Sequence, residues 1–291
     1  MYMSNIINYQ SVNSSQIHLH SDNADIYYNG TKKSSVEFFL KEPIKTEKNT
    51  IECKLSVVSA QIPVSWYIIN ETNNNFNITM WNYVGSISTV SFTECNFPLG
   101  NYTASQFCTM WSLTYGSDWT LTYSSISNKI TFQHASKQFA FSDNNEYTSM
   151  LPLMGFAYKN MYYSDSSFKL VPPFPVDFGL IPRINIKSNT FILRHNVDSG
   201  TKGKTRTICC VPVNAPSGGL ILYNNFSNFK GIINIHSINS ITIDIKDDFK
   251  NFIDFQNIDW TMTLQIDVIN DVILDMDDLA DVYKNQIEEN L

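Results

Sequence analysis

From Ser35 to Val268, short runs of alternating apolar and polar residues follow one another with almost no helical pattern between them. That succession restricts the chain to an all-β fold. Phe76, Ile78 and Met80 alternate with polar partners, and Val90, Phe92 and Glu94 continue the same period of two. Further runs lie at 35–40, 50–58, 183–188, 190–195, 207–213, 220–224, 231–235, 241–246 and 260–268. A parallel α/β sheet needs crossover helices between its strands, and these are missing, so an antiparallel sandwich is expected. The long connections between some runs favour Greek-key order over a simple meander.

One run carries an awkward residue. In Leu55–Asn77, LSVVSAQIPVSWYIINETNNNFN, Val57 and Val58 favour strand, but Pro63 removes a ladder donor and holds Ile62 extended. This predicts a strand that bends or lies at a sheet edge, resumes over Ser65–Ile69 and ends in the Asn73-Asn74-Asn75 turn. Glu42-Pro43 likewise reads as loop between two strands.

One helix interrupts the series. Thr103 and Gln106 have capping-box spacing, Tyr102 and Phe107 are placed as a hydrophobic staple, and Phe107, Met110, Trp111 and Thr114 follow with helical spacing. Gly116 permits a left-handed end. A hairpin comes next, with Trp119–Tyr123 and Lys129–Phe132 joined by a polar turn at Ser127-Asn128 and Phe139 and Phe141 as a third short strand. Residues 150–180, with Pro152, Pro172, Pro173 and Pro175, read as a long irregular loop.

The ends differ from the middle. Residues 1–30 are polar and weakly patterned, which predicts an arm that is mobile or ordered by a neighbour. At the other end Val272, Met276, Leu279, Tyr283 and Ile287 recur at helical intervals, which predicts an acidic amphipathic helix over 269–291. The expected layout is therefore an arm (1–30), one jelly-roll domain (31–268) and a helical tail (269–291).

Charge and motifs exclude several kinds of activity. Of the net charge of −7, residues 271–291 carry −6, with seven acids against Lys284 alone, so the body is nearly neutral. Lys202, Lys204 and Arg206 make only a short basic loop, so specific nucleic-acid binding is not expected. No segment approaches the ~20 apolar residues of a membrane span. The five cysteines, Cys53, Cys95, Cys108, Cys209 and Cys210, lack metal-ligand spacing and read as free thiols. His18 and His20 share a strand face, with Asp22 and Asp25 nearby, but a solvated polar segment is the better reading than a metal site. Catalytic signatures such as GxSxG, HExxH and phosphate-binding glycine loops do not occur. The acids at Asp244, Asp247, Asp248, Asp254 and Asp259 fall at turns and strand entries. No catalytic, cofactor or metal residue is assigned, and an enzyme is not expected. The aromatic stretch Tyr158, Tyr162, Tyr163 and Phe168 offers an alternative surface for sugars or for a subunit contact.

Seven phrases, in order, resemble the penton, or vertex minor capsid, proteins of virophages, Polinton-like viruses and related large DNA viruses. They are SAQIPVSWYIIN with NNNF (Ser59–Phe76), PLGNYTASQF (Pro98–Phe107), LTYSSISNKITF (Leu121–Phe132), LPLMGF (Leu151–Phe156), IKSN (Ile186–Asn189), CVPVNAPSGGLILYNN (Cys210–Asn225) and IDFQNIDWTMTLQI (Ile253–Ile266). Within them Gln61, Pro63, Trp66, Gly100, Asn101, Tyr102, Gly155, Asp259 and Trp260 are the motif residues. The resemblance implies a single jelly-roll β-sandwich with one short inserted helix, forming a homopentamer at the fivefold vertices of an icosahedral virion. It implies contact with the major capsid protein and assembly in the host cytoplasm, and the tail becomes a candidate handle for internal minor capsid proteins. The alternative is a minor capsid or fibre-like sandwich that binds host glycans.

Overall fold

A computed structural model describes residues 7–84, 87–143, 149–179, 181–193, 197–198, 203–204, 206–248 and 250–274. In chain order its strands are β1 (Ile7–His20), β2 (Ile26–Tyr27), β3 (Ser35–Lys45), β4 (Thr50–Pro63), β5 (Asn75–Val84), β6 (Ile87–Asn96), β7 (Trp119–Ser124), β8 (Lys129–His134), β9 (Gln138–Ser142) and β10 (Tyr162–Tyr163). They continue with β11 (Lys169–Leu170), β12 (Arg183–Lys187), β13 (Val197–Asp198), β14 (Gly203–Lys204), β15 (Thr207–Pro212), β16 (Leu220–Asn224), β17 (Gly231–Ile233), β18 (Ser237–Lys246) and β19 (Thr261–Leu274). The helix α1 spans Ala104–Tyr115. The structure is therefore all-β with one α-helix among the described residues. It divides into two compact units, Met1–Trp66 with Ile181–Leu291 (unit 1) and Tyr67–Leu180 (unit 2). The span 31–268, expected as one domain, is thus shared between two units.

Unit 1 holds two large antiparallel sheets and the small pair β13-β14. One runs β1-β19-β4-β16, with β17 also on β4, and the other runs β15-β12-β18-β3-β2. If β16 and β17 are taken as one interrupted strand and the two-residue strands β2, β13 and β14 are set aside, eight strands remain. In chain order their sheets read 1-8-3-6 and 5-4-7-2, which is a jelly roll. Its period-two patterning is plain in β18, where Ile241, Ile243 and Ile245 are buried and the residues between them are half-buried. Leu55, Val57 and Ile62 of β4 and Met262, Leu264 and Ile266 of β19 supply the buried face of the other sheet.

Several expectations are corrected here. Residues 7–20 are not a mobile arm, because β1 pairs with β19 on fourteen consecutive rungs, from Ile7 opposite Leu274 to His20 opposite Thr261. Residues 269–274 are strand, not helix; the β-branched run Val268-Ile269 and Val272-Ile273 suits the ladder that β1 offers. Residues 275–291, which hold the rest of the expected helix, lie outside the described residues. β3 continues through Pro43, because Leu40–Pro43 bulge opposite Asn239 and leave no ladder bond for proline to break. The run expected as a strand over Thr190–His195 is not strand in its described part, 190–193, where Leu193 makes an isolated bridge to Ile233; residues 194 and 195 lie outside the described residues.

β4 is a central strand, but Pro63 is its last residue and lies at a local edge, not at a mid-strand bend. The pairing of β19 with β4 stops at Gln61, so Pro63 faces a single neighbour, Leu220 of β16. Its missing donor costs nothing on the vacant side. Strand character does not resume after it. Trp66 is buried against Phe255 with ring centroids 6.1 Å apart, and Ile69 makes one bridge to Gly100.

Unit 2 contains a four-stranded sheet, β10-β9-β5-β6, and a three-stranded one, β11-β8-β7. The hairpin β7–β8 forms as expected, with Asn128 at φ 53° in its turn, but β9 pairs with β5 instead of extending that hairpin. Both capping-box bonds of α1 are present: the Gln106 amide donates to Thr103 Oγ1 at 3.2 Å, and the Thr103 amide donates to Gln106 Oε1 at 2.9 Å. Tyr102 and Phe107 both lie on Phe97, with centroids 5.4 and 4.6 Å away, so the staple runs through a third ring. Trp111 is the hub of an aromatic core and lies 5.2–5.7 Å from Phe76, Trp119, Phe132 and Phe141. Each such ring removes about 150–250 Å² from water, so the core draws its stability mainly from large apolar area. Residues 150–179 are irregular apart from the two-residue strands β10 and β11, yet Met150, Leu151, Met154 and Phe156 are fully or nearly fully buried in this core.

Candidate functional site

Of the motif residues, Asp259 and Trp260 sit at a polar knot in unit 1. The Trp260 indole donates to the Lys33 carbonyl at 2.8 Å and its amide to Ser21 Oγ at 3.0 Å. Asp259 Oδ1 accepts from Ser21 Oγ at 2.8 Å and from Lys33 Nζ at 2.6 Å. Burial pushes the Asp259 carboxyl up, but the bonds from Lys33 and Ser21 outweigh it and hold the group below the usual range. The hydrogen bond to Asp259 raises the Lys33 ammonium in turn. The knot fastens residues 21–33 to the entry of the last strand.

The motif residues of unit 2 join two of the sequence phrases. Asn101 Oδ1 accepts the Ile68 amide at 2.7 Å, and Ile69 and Gly100 exchange backbone bonds of 3.1 and 2.9 Å. The Tyr102 hydroxyl donates to the carbonyls of Pro98 and Leu99 at 3.2 and 3.3 Å. Gly155 has φ 89°, and a Cβ there would run into the Phe174 carbonyl oxygen. Glycine is required at that position on both counts.

Reactive chemistry is sparse. Among the described residues no group of three or more His, Cys, Asp or Glu side chains could hold a metal ion. Burial pushes the Cys209 thiol up to about 11, so the neighbouring Arg206 does not activate it. Cys210 is exposed and donates to Asn185 Oδ1 at 3.1 Å. His134 is a turn element whose Nδ1 accepts the amides of Ser136 and Lys137, and burial lowers its pKa. The stretch 158–168 does not gather into one site. Tyr162 packs on Phe156 at 4.8 Å, while Tyr163 lies beside Trp81 at 5.8 Å.

Two surfaces stand out, one in each unit. In unit 1, ladder register aligns His18, Thr263, Ser59 and Asn224 across four strands. Two residues further along, His20, Thr261, Gln61 and Leu222 form a parallel rung. These rungs line a groove of about 580 Å³. The His18 ring lies 3.0 Å from Thr263 Oγ1, and His20 Nδ1 accepts the Asp22 amide at 3.2 Å. Of the motif residues only Gln61 lies in the groove. The lining residues come from positions spread over about 245 residues of the chain, and strand register brings them together.

In unit 2 the second surface is the outer face of the β10-β9-β5-β6 sheet. Tyr163, Ala140, Thr79 and Phe92 align across it, with Trp81 and Val90 on the next rung. Phe92 is 64% exposed, Tyr163 61% and Val90 59%. Val90 and Phe92 form an exposed apolar strip on the edge strand β6, whereas Ala140 and Thr79, between Phe92 and Tyr163, are buried; an exposed strip of this kind marks a surface for contacts. The alternation at Val90 and Phe92 was legible in the sequence, but which face it pointed to was not.

The strand order of unit 1 defines a jelly-roll protein. The structure is similar to the crystal structure of the selenomethionine-labelled penton protein of mavirus, with 11% identity and a TM-score of 0.49, covering 90% of this chain and 100% of that one. No family model matches the chain. No curated protein matches it either.

Proposed function

We propose that this chain is a non-enzymatic capsid protein of a virophage or related DNA virus, the homopentameric penton at the fivefold vertices of an icosahedral shell. Jelly rolls serve capsids, lectins and cupins alike, so the fold alone does not choose among them. The observation that carries the choice is the jelly-roll strand order of unit 1 coinciding with seven ordered sequence phrases of the penton type. The near-neutral body and the exposed Val90, Phe92 and Tyr163 support a chain made for broad protein contacts.

In this reading a ring of five copies forms through a heterologous interface and touches the surrounding major capsid protein. The acidic tail serves internal minor capsid proteins, and the protein is assembled in the host cytoplasm into virions. Native mass spectrometry of the full chain, alone and with the major capsid protein, tests it. A five-subunit species in either sample is expected. Monomers in both samples, together with particle vertices that lack the chain by electron microscopy, would overturn the proposal.

A further inference from the structure

We propose that the groove on the outer face of the β1-β19-β4-β16 sheet binds a neutral oligosaccharide. Its size, about 580 Å³, lies within the ~300–1,000 Å³ typical of small-molecule clefts. Each rung crosses four strands, so the groove extends over about 14 Å, or three interstrand spacings. The two rungs stand about 7 Å apart, two residues along the strands.

The lining decides what fits. It contains no Lys, Arg, Asp or Glu, so neither an anion nor a simple cation finds a charged partner. Instead it offers the amides of Asn23, Gln61 and Asn224 and the hydroxyls of Ser59, Thr261 and Thr263. Each of these groups both donates and accepts, as does a sugar hydroxyl.

The histidines argue against a metal. His20 Nδ1 accepts the Asp22 amide, which leaves the proton of the neutral ring on Nε2 and makes that nitrogen a donor, not a ligand. An added peptide strand is disfavoured for a different reason. The groove runs across the face of the sheet, where side chains project, whereas strand addition needs a free edge. Leu222, 61% exposed at one end of its rung, gives an apolar footing for the C–H face of a sugar ring. A register shift in the β19–β4 pairing beside Thr263 falls within the groove, where such irregularities re-aim neighbouring side chains.

The inference is independent of the capsid proposal. The test is binding of the full chain to a printed array of uncharged oligosaccharides, then titration with each retained glycan. At least one glycan should be retained, and Gln61→Ala and Asn224→Ala should each weaken it tenfold or more. Both side chains are exposed, and melting temperature checks that each variant folds. Val90→Ser, in the other unit, should bind like the parent chain. Retention of no glycan overturns the proposal, and so does binding that both groove variants leave intact. A pentamer that binds no glycan refutes the groove alone, whereas a glycan-binding monomer absent from capsid vertices refutes the capsid role alone.

Discussion

The indole nitrogen of Trp260 donates to the main-chain carbonyl of Lys33 at 2.8 Å, and both residues are buried. Trp260→Phe keeps most of the ring but leaves that carbonyl without its partner, which costs about 1–3 kcal/mol. Trp260→Ala also empties the space beside Phe38, for about 3–5 kcal/mol. Urea unfolding should rank the chains parent, Phe, Ala in falling stability; equal midpoints for parent and Phe would show that the bond contributes nothing.

Gly155→Ala places a methyl against the Phe174 carbonyl and holds alanine at a left-handed φ of 89°. The backbone strain alone is about 1–3 kcal/mol. Differential scanning calorimetry should register a lower melting temperature for the variant. Gly218→Ala is the useful contrast, with a similar φ of 77° but open space around the added carbon, so it should lose less.

Asp267 binds Lys230 Nζ at 2.6 Å, Ser14 Oγ at 2.7 Å and Gln265 Nε2 at 2.8 Å. Burial pushes its carboxyl up, but these three bonds outweigh burial and hold it below the ordinary range. A depressed folded-state pKa gives stability that is complete above the unfolded value of about 4 and is lost as pH falls through the folded value. Melting temperature should therefore fall on acidification below about pH 5, and Asp267→Asn should flatten that slope while lowering stability at neutral pH. An unchanged slope in the variant would remove Asp267 from the acid response.

Val90 and Phe92 lie on the outer face of their sheet, more than half exposed. Replacing both with serine should change folding stability by no more than about 0.5 kcal/mol per site. If that face meets other capsid proteins, the double variant should assemble poorly, as read by sedimentation velocity with the major capsid protein. Unimpaired assembly would place the contacts elsewhere.

What the sequence revealed depended on whether a signal was local. The α1 capping box and the Asn128 turn need only neighbours a few residues away, and both form as written. β1 was missed because INYQSVNSSQIHLH has so few apolar residues; among the described residues it pairs with β19 alone, through its backbone, and needs few buried side chains. Pro43 and Pro63 misled because their tolerance depends on a bulge and on where a partner strand stops. The groove was hidden for the same reason, since no local pattern places Gln61 beside Thr261.

The fourteen rungs between β1 and β19 also set a schedule for synthesis. His20 cannot meet Thr261 until about 240 more residues have been made, which takes roughly 12–50 s at typical elongation rates. Unit 2, continuous from Tyr67 to Leu180, has all its partners long before then. On a ribosome the aromatic unit can fold first, while β1 waits without β19 and open to pairing with the same strand of another nascent chain. Crowded polysomes would then be where this chain is most prone to misassembly.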